Sequence, residues 1–184
     1  MNKNLIIVGA ELYARVAYEI ALDMKCFDNI SFVDDLREST PDGIPVIGKI
    51  KDLENIVVDY SNIIVALDDA EKRLSLLNMI EEELPFRIVS LISPKAYISS
   101  SSQIMQGCII EPMAVVHTGC IISKGCFISS GAVINYGSMC CDCSHVECNS
   151  TISEQSVVPA GTKVLKGKVF DNKTPHVNDF FNGF

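Results

Sequence analysis

The sequence predicts two structural units: an α/β unit in residues 1–91 and a left-handed parallel β-helix in residues 92–169, with a tail at 170–184 that caps the helix. Two observations predict this fold. From Ile92 to Val164 every sixth residue is a branched aliphatic, except Cys140. Before Ile92 this period is absent, and short apolar runs alternate with amphipathic segments, as in α/β proteins.

The elements of the α/β unit can be predicted in chain order. Continuous apolar runs are typical of buried parallel strands, and amphipathic runs between them predict helices. Either Asp68 or Asp69 is placed to cap the second helix. The predicted elements are a strand at 5–8 ended by Gly9, a helix from 11 to about 24, a strand at 30–33, a strand at 63–67, a helix to about 84 and a strand at 87–92.

The second unit is predicted from the hexads. A fixed period of six over more than seventy residues indicates a parallel β-helix, in which each hexad supplies one short strand and one turn. Four residues after each aliphatic comes a small residue, such as Cys126, Ala132 or Ser138, that fits beside it in the interior. Three residues after it often comes glycine, which tolerates the backbone of the corner. Three hexads make one coil, so about four coils are expected.

Polar residues follow the predicted strands of the first unit. The carboxyl ends of parallel strands are where such sheets bind ligands, and Gly9, Asp34, Asp35 and Asp68 are expected to gather there. Together with Arg73 they are the candidate substrate-binding residues. The loop after Gly9 has no further glycines for a phosphate and carries Glu11, so a simple strand-to-helix turn is the alternative interpretation. The aspartates have an alternative as well, as helix caps and solvated side chains.

Composition narrows the class of protein. A formal charge of −8 and a pI of about 4.8 argue against a nucleic-acid partner, which requires a basic patch. No apolar run reaches the roughly 18 residues of a membrane span, and the first residues do not read as an export signal. The 8 cysteines are therefore expected as reduced thiols in a cytoplasmic protein.

Several blocks, in this order, resemble one enzyme family across nearly the whole chain. They are LIIVGAELYARVAYEIA, FVDD, GIPVIGKIKDL, NIIVALDDAEKR and ISPKAYIS leading into the hexads. The chain resembles the sugar O- and N-acetyltransferases of the sialic acid O-acetyltransferase and the bacillosamine or perosamine N-acetyltransferase type. This resemblance implies a Rossmann-like domain for the acceptor sugar and a trimeric β-helix, with acetyl-CoA in the groove between neighbouring helices. It also implies acetyl transfer to a hydroxyl or amine of a nucleotide-linked or free sugar.

Catalytic candidates follow from the resemblance and from the period. The family uses a Glu-His pair as its base, and Asn135 and Tyr136 stand at those places. His145 matches a second family histidine near acetyl-CoA. His117 lies eighteen residues before Asn135, one coil away in the same column, and is a candidate for a displaced base. Both histidines have an alternative interpretation as solvated surface residues.

Two functional classes remain open at this stage. One is an acetyl-CoA-dependent sugar acetyltransferase with an altered base. The other is a non-catalytic trimeric relative that binds a sugar nucleotide or a protein partner, because Asn135-Tyr136 replaces the expected pair. No metal is expected, since the cysteine run at 140–143 and Cys148 lack the spaced pairs typical of zinc sites.

The residue before each interior aliphatic is expected to face outward. In many hexads it is apolar, and monomers rarely expose so continuous an apolar surface. A closed threefold assembly would bury it, so a homotrimer is predicted. These outward positions are Ile109, Val115, Ile121, Phe127, Val133, Met139 and Val157.

Overall fold

The protein consists of two compact units, one that ends at Ile92 and one that begins at Ser93. The computed structural model describes residues 2–173. The tail beyond residue 173, including the phenylalanines expected to cap the β-helix, lies outside the described residues. None of the helices in the described part is long and apolar enough to cross a membrane.

The first unit is an α/β unit with a five-stranded parallel sheet in the order β3-β2-β1-β4-β5. Val8 at the end of β1 pairs with both Val33 and Val65, so three strand ends lie at one edge of the sheet. Its elements are β1 (Leu5–Val8), α1 (Leu12–Met24), β2 (Ile30–Val33), β3 (Val46–Gly48), a 3-10 turn (Ile50–Asp52), α2 (Leu53–Ile56), β4 (Asn62–Val65), α3 (Ala70–Glu83), β5 (Arg87–Ile88) and β6 (Leu91–Ile92).

The core of this unit accounts for its local structure. Every residue of β1 and β4 is buried, as continuous apolar runs require. Helix α1 buries a face of small and aliphatic residues that includes Ala14, Ala17 and Ile20. Asp69 caps the N-terminus of helix α3, where its carboxylate accepts hydrogen bonds from the backbone N–H groups of Glu71 and Lys72. These hydrogen bonds lower the pKa of Asp69, and the one from the N–H of Lys72 has the largest effect.

The second unit is the predicted left-handed parallel β-helix. Its two-residue strands stack in three parallel sheets, which follow the orders β19-β16-β13-β10-β7, β17-β14-β11-β8 and β18-β15-β12-β9. Each strand pairs with the one eighteen residues further on, as Val116 does with Ile134. The strands are β7 (Tyr97–Ile98), β8 (Gln103–Ile104), β9 (Ile109–Ile110), β10 (Val115–Val116), β11 (Ile121–Ile122), β12 (Phe127–Ile128), β13 (Val133–Ile134), β14 (Met139–Cys140), β15 (His145–Val146), β16 (Thr151–Ile152), β17 (Val157–Val158), β18 (Lys163–Val164) and β19 (Val169–Phe170).

The interior of the β-helix is filled as the hexads predict. The stacked side chains of Ile110, Val116, Ile122, Ile128, Ile134, Cys140, Val146, Ile152 and Val158 have no solvent exposure. The small residues four positions later are buried beside them from Cys108 to Ser156. The corner position three after the aliphatic adopts a left-handed backbone even without glycine, with φ of 65° at Met113 and 55° at Gln155.

The outward positions correct one expectation. Ile109 and Phe127 are completely buried rather than exposed. Phe127 lies in register between Ile109 and His145, with its ring 5.6 Å from the imidazole and nearly perpendicular to it at 80°. Both residues therefore belong to the packing of the chain itself. The other outward apolar positions, Val115, Ile121, Val133, Met139 and Val157, are half-buried.

Candidate active site

One corner of the β-helix carries three of the four predicted catalytic candidates. His117 follows β10, and Asn135 and Tyr136 follow β13 in the next coil. The backbone N–H of His117 donates to the carbonyl oxygen of Ile134 at 3.0 Å, which holds the two coils in register. His117 is exposed, Asn135 is half-buried and Tyr136 is 52% exposed. The spacing of eighteen residues thus brings an imidazole, an amide and a phenol together at one surface.

The side chain of Asn135 is hydrogen-bonded to the backbone of the β-helix. Its Nδ2 donates a hydrogen bond of 2.9 Å to the carbonyl oxygen of Ile152 in the following coil. The main-chain carbonyl oxygen of Asn135 accepts a hydrogen bond from the thiol of Cys120 at 3.1 Å. A carboxamide has no basic lone pair at neutral pH, so Asn135 shapes the corner and does not take a proton.

Two further residues of this corner were not among the candidates. Glu154 occupies the place of Tyr136 one coil on, and the N–H of its neighbour Gln155 donates to the Tyr136 carbonyl oxygen at 3.0 Å. Lys173 Nζ lies 2.6 Å from Glu154 Oε1. This hydrogen bond is the main reason that the pKa of Glu154 is lowered and that of Lys173 is raised. The sequence signal that could have identified Glu154 is the coil period of eighteen residues, because Glu154 lies eighteen residues after Tyr136.

His145, the fourth catalytic candidate, lies away from Tyr136 within the chain. It belongs to β15, in a different sheet from β13, because the ten residues between these strands include the whole of strand β14. Its side chain is only 7% exposed, and Nε2 lies 3.0 Å from Ser129 Oγ. Within one chain, His145 is therefore a packed residue of another face, not a neighbour of the corner.

The predicted ligand edge of the first unit is held together by its aspartates. Asp34 accepts hydrogen bonds from the N–H groups of Ala10 at 2.9 Å, Leu36 at 2.8 Å and Arg37 at 3.0 Å. Asp35 accepts from the N–H of Ile50 at 3.0 Å. The loop amides that would otherwise be available to an anion are thus paired with Asp34.

Gly9 is required by the same edge for steric reasons. Its φ is +110°, and a Cβ atom there would lie 3.1 Å from the carbonyl oxygen of Ala66 on the adjacent strand end. Both the backbone conformation and the close approach favour glycine. Near this loop, Glu11 pairs with Arg37 at 2.7 Å, and this contact raises the pKa of Arg37.

Arg73 corrects another expectation, because it is not available to a substrate in this conformation. The side chain is completely buried. Its Nη1 donates to the carbonyl oxygens of Leu67 at 2.5 Å and Asp68 at 3.2 Å. Arg73 therefore fixes the loop between β4 and α3, whereas the side chain of Asp68 is exposed.

The cysteines form no metal centre in the described part of the chain. There, no group of three or more His, Cys, Asp or Glu side chains is arranged to hold an ion. All eight cysteines are free thiols. Burial is the main cause that raises the pKa of Cys120, of Cys141 and, most strongly, of Cys140.

Comparison with known proteins matches both units. The family model of the PglD N-terminal domain matches residues 4–80, and that of the bacterial transferase hexapeptide (six repeats) matches residues 91–136. No curated protein matches the sequence.

Solved structures share the whole architecture. The acetyltransferase domain of PglB from Neisseria gonorrhoeae is 25% identical, with a TM-score of 0.80 over 95% of this chain and 94% of that one. The same domain in complex with acetyl coenzyme A gives 23% identity and a TM-score of 0.68 over 94% and 97%. PerB from Caulobacter crescentus, in complex with CoA and GDP-perosamine, is 19% identical, with a TM-score of 0.64 over 90% of both chains. Both units are therefore similar to those of hexapeptide-repeat sugar acetyltransferases, the family that the sequence resembles.

Proposed function

We propose that the protein transfers the acetyl group of acetyl-CoA to an amine or hydroxyl of a sugar, free or nucleotide-linked. One observation carries this proposal: a PglD-type N-terminal domain precedes hexapeptide coils, and this arrangement matches the PglB acetyltransferase domain over 95% of the chain. Structures of the same architecture hold acetyl coenzyme A, or CoA with GDP-perosamine, which supports the choice of donor and acceptor.

His117 is the proposed base. Catalysis requires a group that takes the proton of the acceptor as it attacks the thioester, and unperturbed imidazole titrates near working pH. The described residues contain two histidines, of which His117 is exposed beside Tyr136 and His145 is buried against Phe127. The acceptor then forms its new bond to the acetyl carbon, and CoA leaves as the thiol. Tyr136 offers an exposed ring against which a sugar can stack.

The sheet of the first unit carries a proposed binding site for a sugar or sugar nucleotide. The carboxyl edge of a parallel sheet is its usual ligand site, and Gly9, Asp34, Asp35 and Asp68 lie there. Arg37, in the loop after β2, is exposed and paired with Glu11. An anionic group of the acceptor can bind Arg37 if it displaces Glu11. An exposed ion pair contributes little free energy, so this exchange is inexpensive.

We further propose that the protein acts as a homotrimer in the cytoplasm. The half-buried outward positions of two sheets, among them Ile121, Val133 and Met139, form an apolar surface that neighbouring copies would cover. A reducing compartment suits eight free cysteines.

The proposal is tested by chromatographic measurement of CoA release from acetyl-CoA with a panel of amino and neutral hexoses, free and nucleotide-linked. His117→Ala is expected to lower kcat by about 10²–10⁴-fold, the usual contribution of a general base, with little change in acetyl-CoA affinity. His145→Ala is the comparison variant, expected to reduce stability more than kcat. Absence of CoA release with every acceptor, together with no calorimetric binding of acetyl-CoA, would leave the non-catalytic binding module instead.

A further inference from the structure

The backbone on both sides of His117 is held by hydrogen bonds, one of which comes from a side chain in the preceding coil. The N–H of His117 donates to the carbonyl oxygen of Ile134 at 3.0 Å, and the carbonyl oxygen of His117 accepts from Ser102 Oγ at 2.5 Å. We propose that Ser102, together with Cys120, positions His117 for its role as the base. This inference rests on the proposed acetyl transfer and adds two positioning residues to it.

The imidazole of His117 depends on its backbone for its position. The residue is exposed, and among residues 2–173 no hydrogen bond, ion pair or ring contact holds its side chain. A residue has only two soft backbone dihedrals, and the hydrogen bonds to the peptide planes on both sides fix them. The direction of the Cα–Cβ bond is then set, and only χ1 and χ2 of the ring remain free.

Ser102 also links the turn of His117 to the next coil. Its hydroxyl accepts a hydrogen bond from the backbone N–H of Cys120 at 3.2 Å while it donates to His117. The thiol of Cys120 donates to the main-chain carbonyl oxygen of Asn135 at 3.1 Å, which holds the peptide plane before Tyr136. Ser102 and Cys120 thus hold the turn of His117 and the turn of Tyr136 relative to each other.

The fold itself does not require these hydrogen bonds. Ser102 and Cys120 are the small residues found four positions after an interior aliphatic. On another corner the same position is occupied by Ala114 and Ala132, which are completely buried and have no side-chain donor. A coil therefore closes without a hydroxyl or thiol at this place, and alanine variants of Ser102 and Cys120 are expected to fold.

The position of a base affects the rate strongly, because proton transfer requires hydrogen-bond distance between the base and the acceptor. A displacement of about 1 Å can lower a rate about 10²-fold. Ser102→Ala and Cys120→Ala are therefore expected to lower kcat about ten- to hundredfold, with acetyl-CoA affinity unchanged within about twofold. Ser102→Cys and Cys120→Ser are expected to restore kcat to within about threefold of the wild type, because each keeps a donor at the same position.

A matched control lies at the next corner along the chain. Cys126 is completely buried like Cys120, and its thiol donates to the main-chain carbonyl oxygen of Cys141 at the same distance of 3.1 Å. Cys126→Ala removes an equivalent hydrogen bond away from His117. It is expected to lower the midpoint of urea denaturation as Cys120→Ala does, and to leave kcat within about twofold of the wild type.

A double-mutant cycle separates positioning from a general loss of structure. If Ser102 acts through His117, Ser102→Ala has no further effect on kcat once His117→Ala has removed the base. A residue that only stabilises the β-helix would lower kcat by the same factor in both backgrounds. Equal factors, or an unchanged kcat in Ser102→Ala, overturn the inference and leave the proposed function standing.

NMR of the histidine rings tests the inference without turnover. If the wild type releases no CoA, the proposed function fails, and the ring signals of His117 then decide whether Ser102 positions it. The chain contains three histidines, and the spectrum of His117→Ala identifies the signals of that ring. Ser102→Ala is expected to shift these signals and Cys126→Ala to leave them in place. Unchanged His117 signals in Ser102→Ala refute the positioning role.

Discussion

A left-handed backbone recurs at the corners of the β-helix, and at one glycine there an added side chain would meet a neighbouring side chain. Gly131 has φ of +72°, and a Cβ atom would overlap with Oδ1 of Asn149 one coil away. Gly167 has φ of +67°, but among the described residues no heavy atom lies within 4 Å of such a Cβ. An alanine at Gly167 would therefore introduce backbone strain alone, whereas an alanine at Gly131 would introduce backbone strain and steric overlap.

Gly167→Ala is expected to lower the free energy of unfolding by about 1 kcal/mol, the left-handed strain less the entropy lost from the unfolded chain. Gly131→Ala is expected to cost more, because Asn149 must also move. Adding Asn149→Gly should bring the cost of Gly131→Ala back to that of Gly167→Ala. Urea denaturation of the wild type, these three variants and Asn149→Gly alone, the reference for the double variant, measures this. Equal costs for the two single alanine variants would contradict the overlap.

The cysteines give a second prediction at the residue scale. Cys26 and Cys148 are exposed, Cys141 is half-buried, and the other five thiols are buried. A thiol reacts as its thiolate, and burial raises the pKa of Cys140 well above its ordinary value, so buried thiols are inert. An aromatic disulfide reagent at pH 8 is expected to modify Cys26 and Cys148 rapidly and Cys141 slowly, and all eight only after denaturation. Rapid reaction of five or more native thiols would show that the hexad register is wrong.

At the scale of the element, each short strand has one interior and one outward residue. Ile134 is fully buried in the stack between Val116 and Ile152, whereas its neighbour Val133 is half-buried. Ile134→Ala is expected to cost about 2–5 kcal/mol, the range for large-to-small changes in a core. Val133→Ala is the matched control on the same strand and should cost clearly less. Equal losses in urea denaturation would mean that the two residues do not differ in burial.

What could be predicted from the sequence depends on how an element is stabilised. The strands β1 and β2 were predicted with their observed bounds, because burial on both sides of a parallel sheet demands continuous apolar runs. The hexads predicted the β-helix because its core repeats with a fixed period. In contrast, Val46–Gly48 and Leu53–Ile56 are too short for any periodicity to appear.

The site was predictable only in part, for a related reason. The period of eighteen places His117 with Asn135, and the same arithmetic places Glu154 with Tyr136. The approach of Lys173 to Glu154 follows from the path of the chain after the last strand, which no repeat specifies. The burial of Arg73 could not be anticipated either, since it depends on the two loop carbonyl oxygens that its guanidinium binds.

At the scale of the whole molecule, the surface of the β-helix limits which residue can test assembly. Phe127 is a poor choice, because it is completely buried within its own chain and a charge there would unfold the protein. Met139 is a better probe, since its half-buried side chain is at an outward position of β14. Val58, 79% exposed on the first unit, serves as the control outside these outward positions.

We expect the wild type to be a trimer by light scattering at micromolar concentration. Met139→Glu should dissociate it, because a charge buried at an apolar interface has no water to solvate it. The circular dichroism spectrum should remain that of the wild type, since Met139 contributes little to the interior of its own chain. Val58→Glu should leave the mass unchanged. A monomeric wild type would contradict the predicted trimer. A Met139→Glu variant that remains trimeric would show that the apolar outward residue of β14 does not lie in the subunit interface.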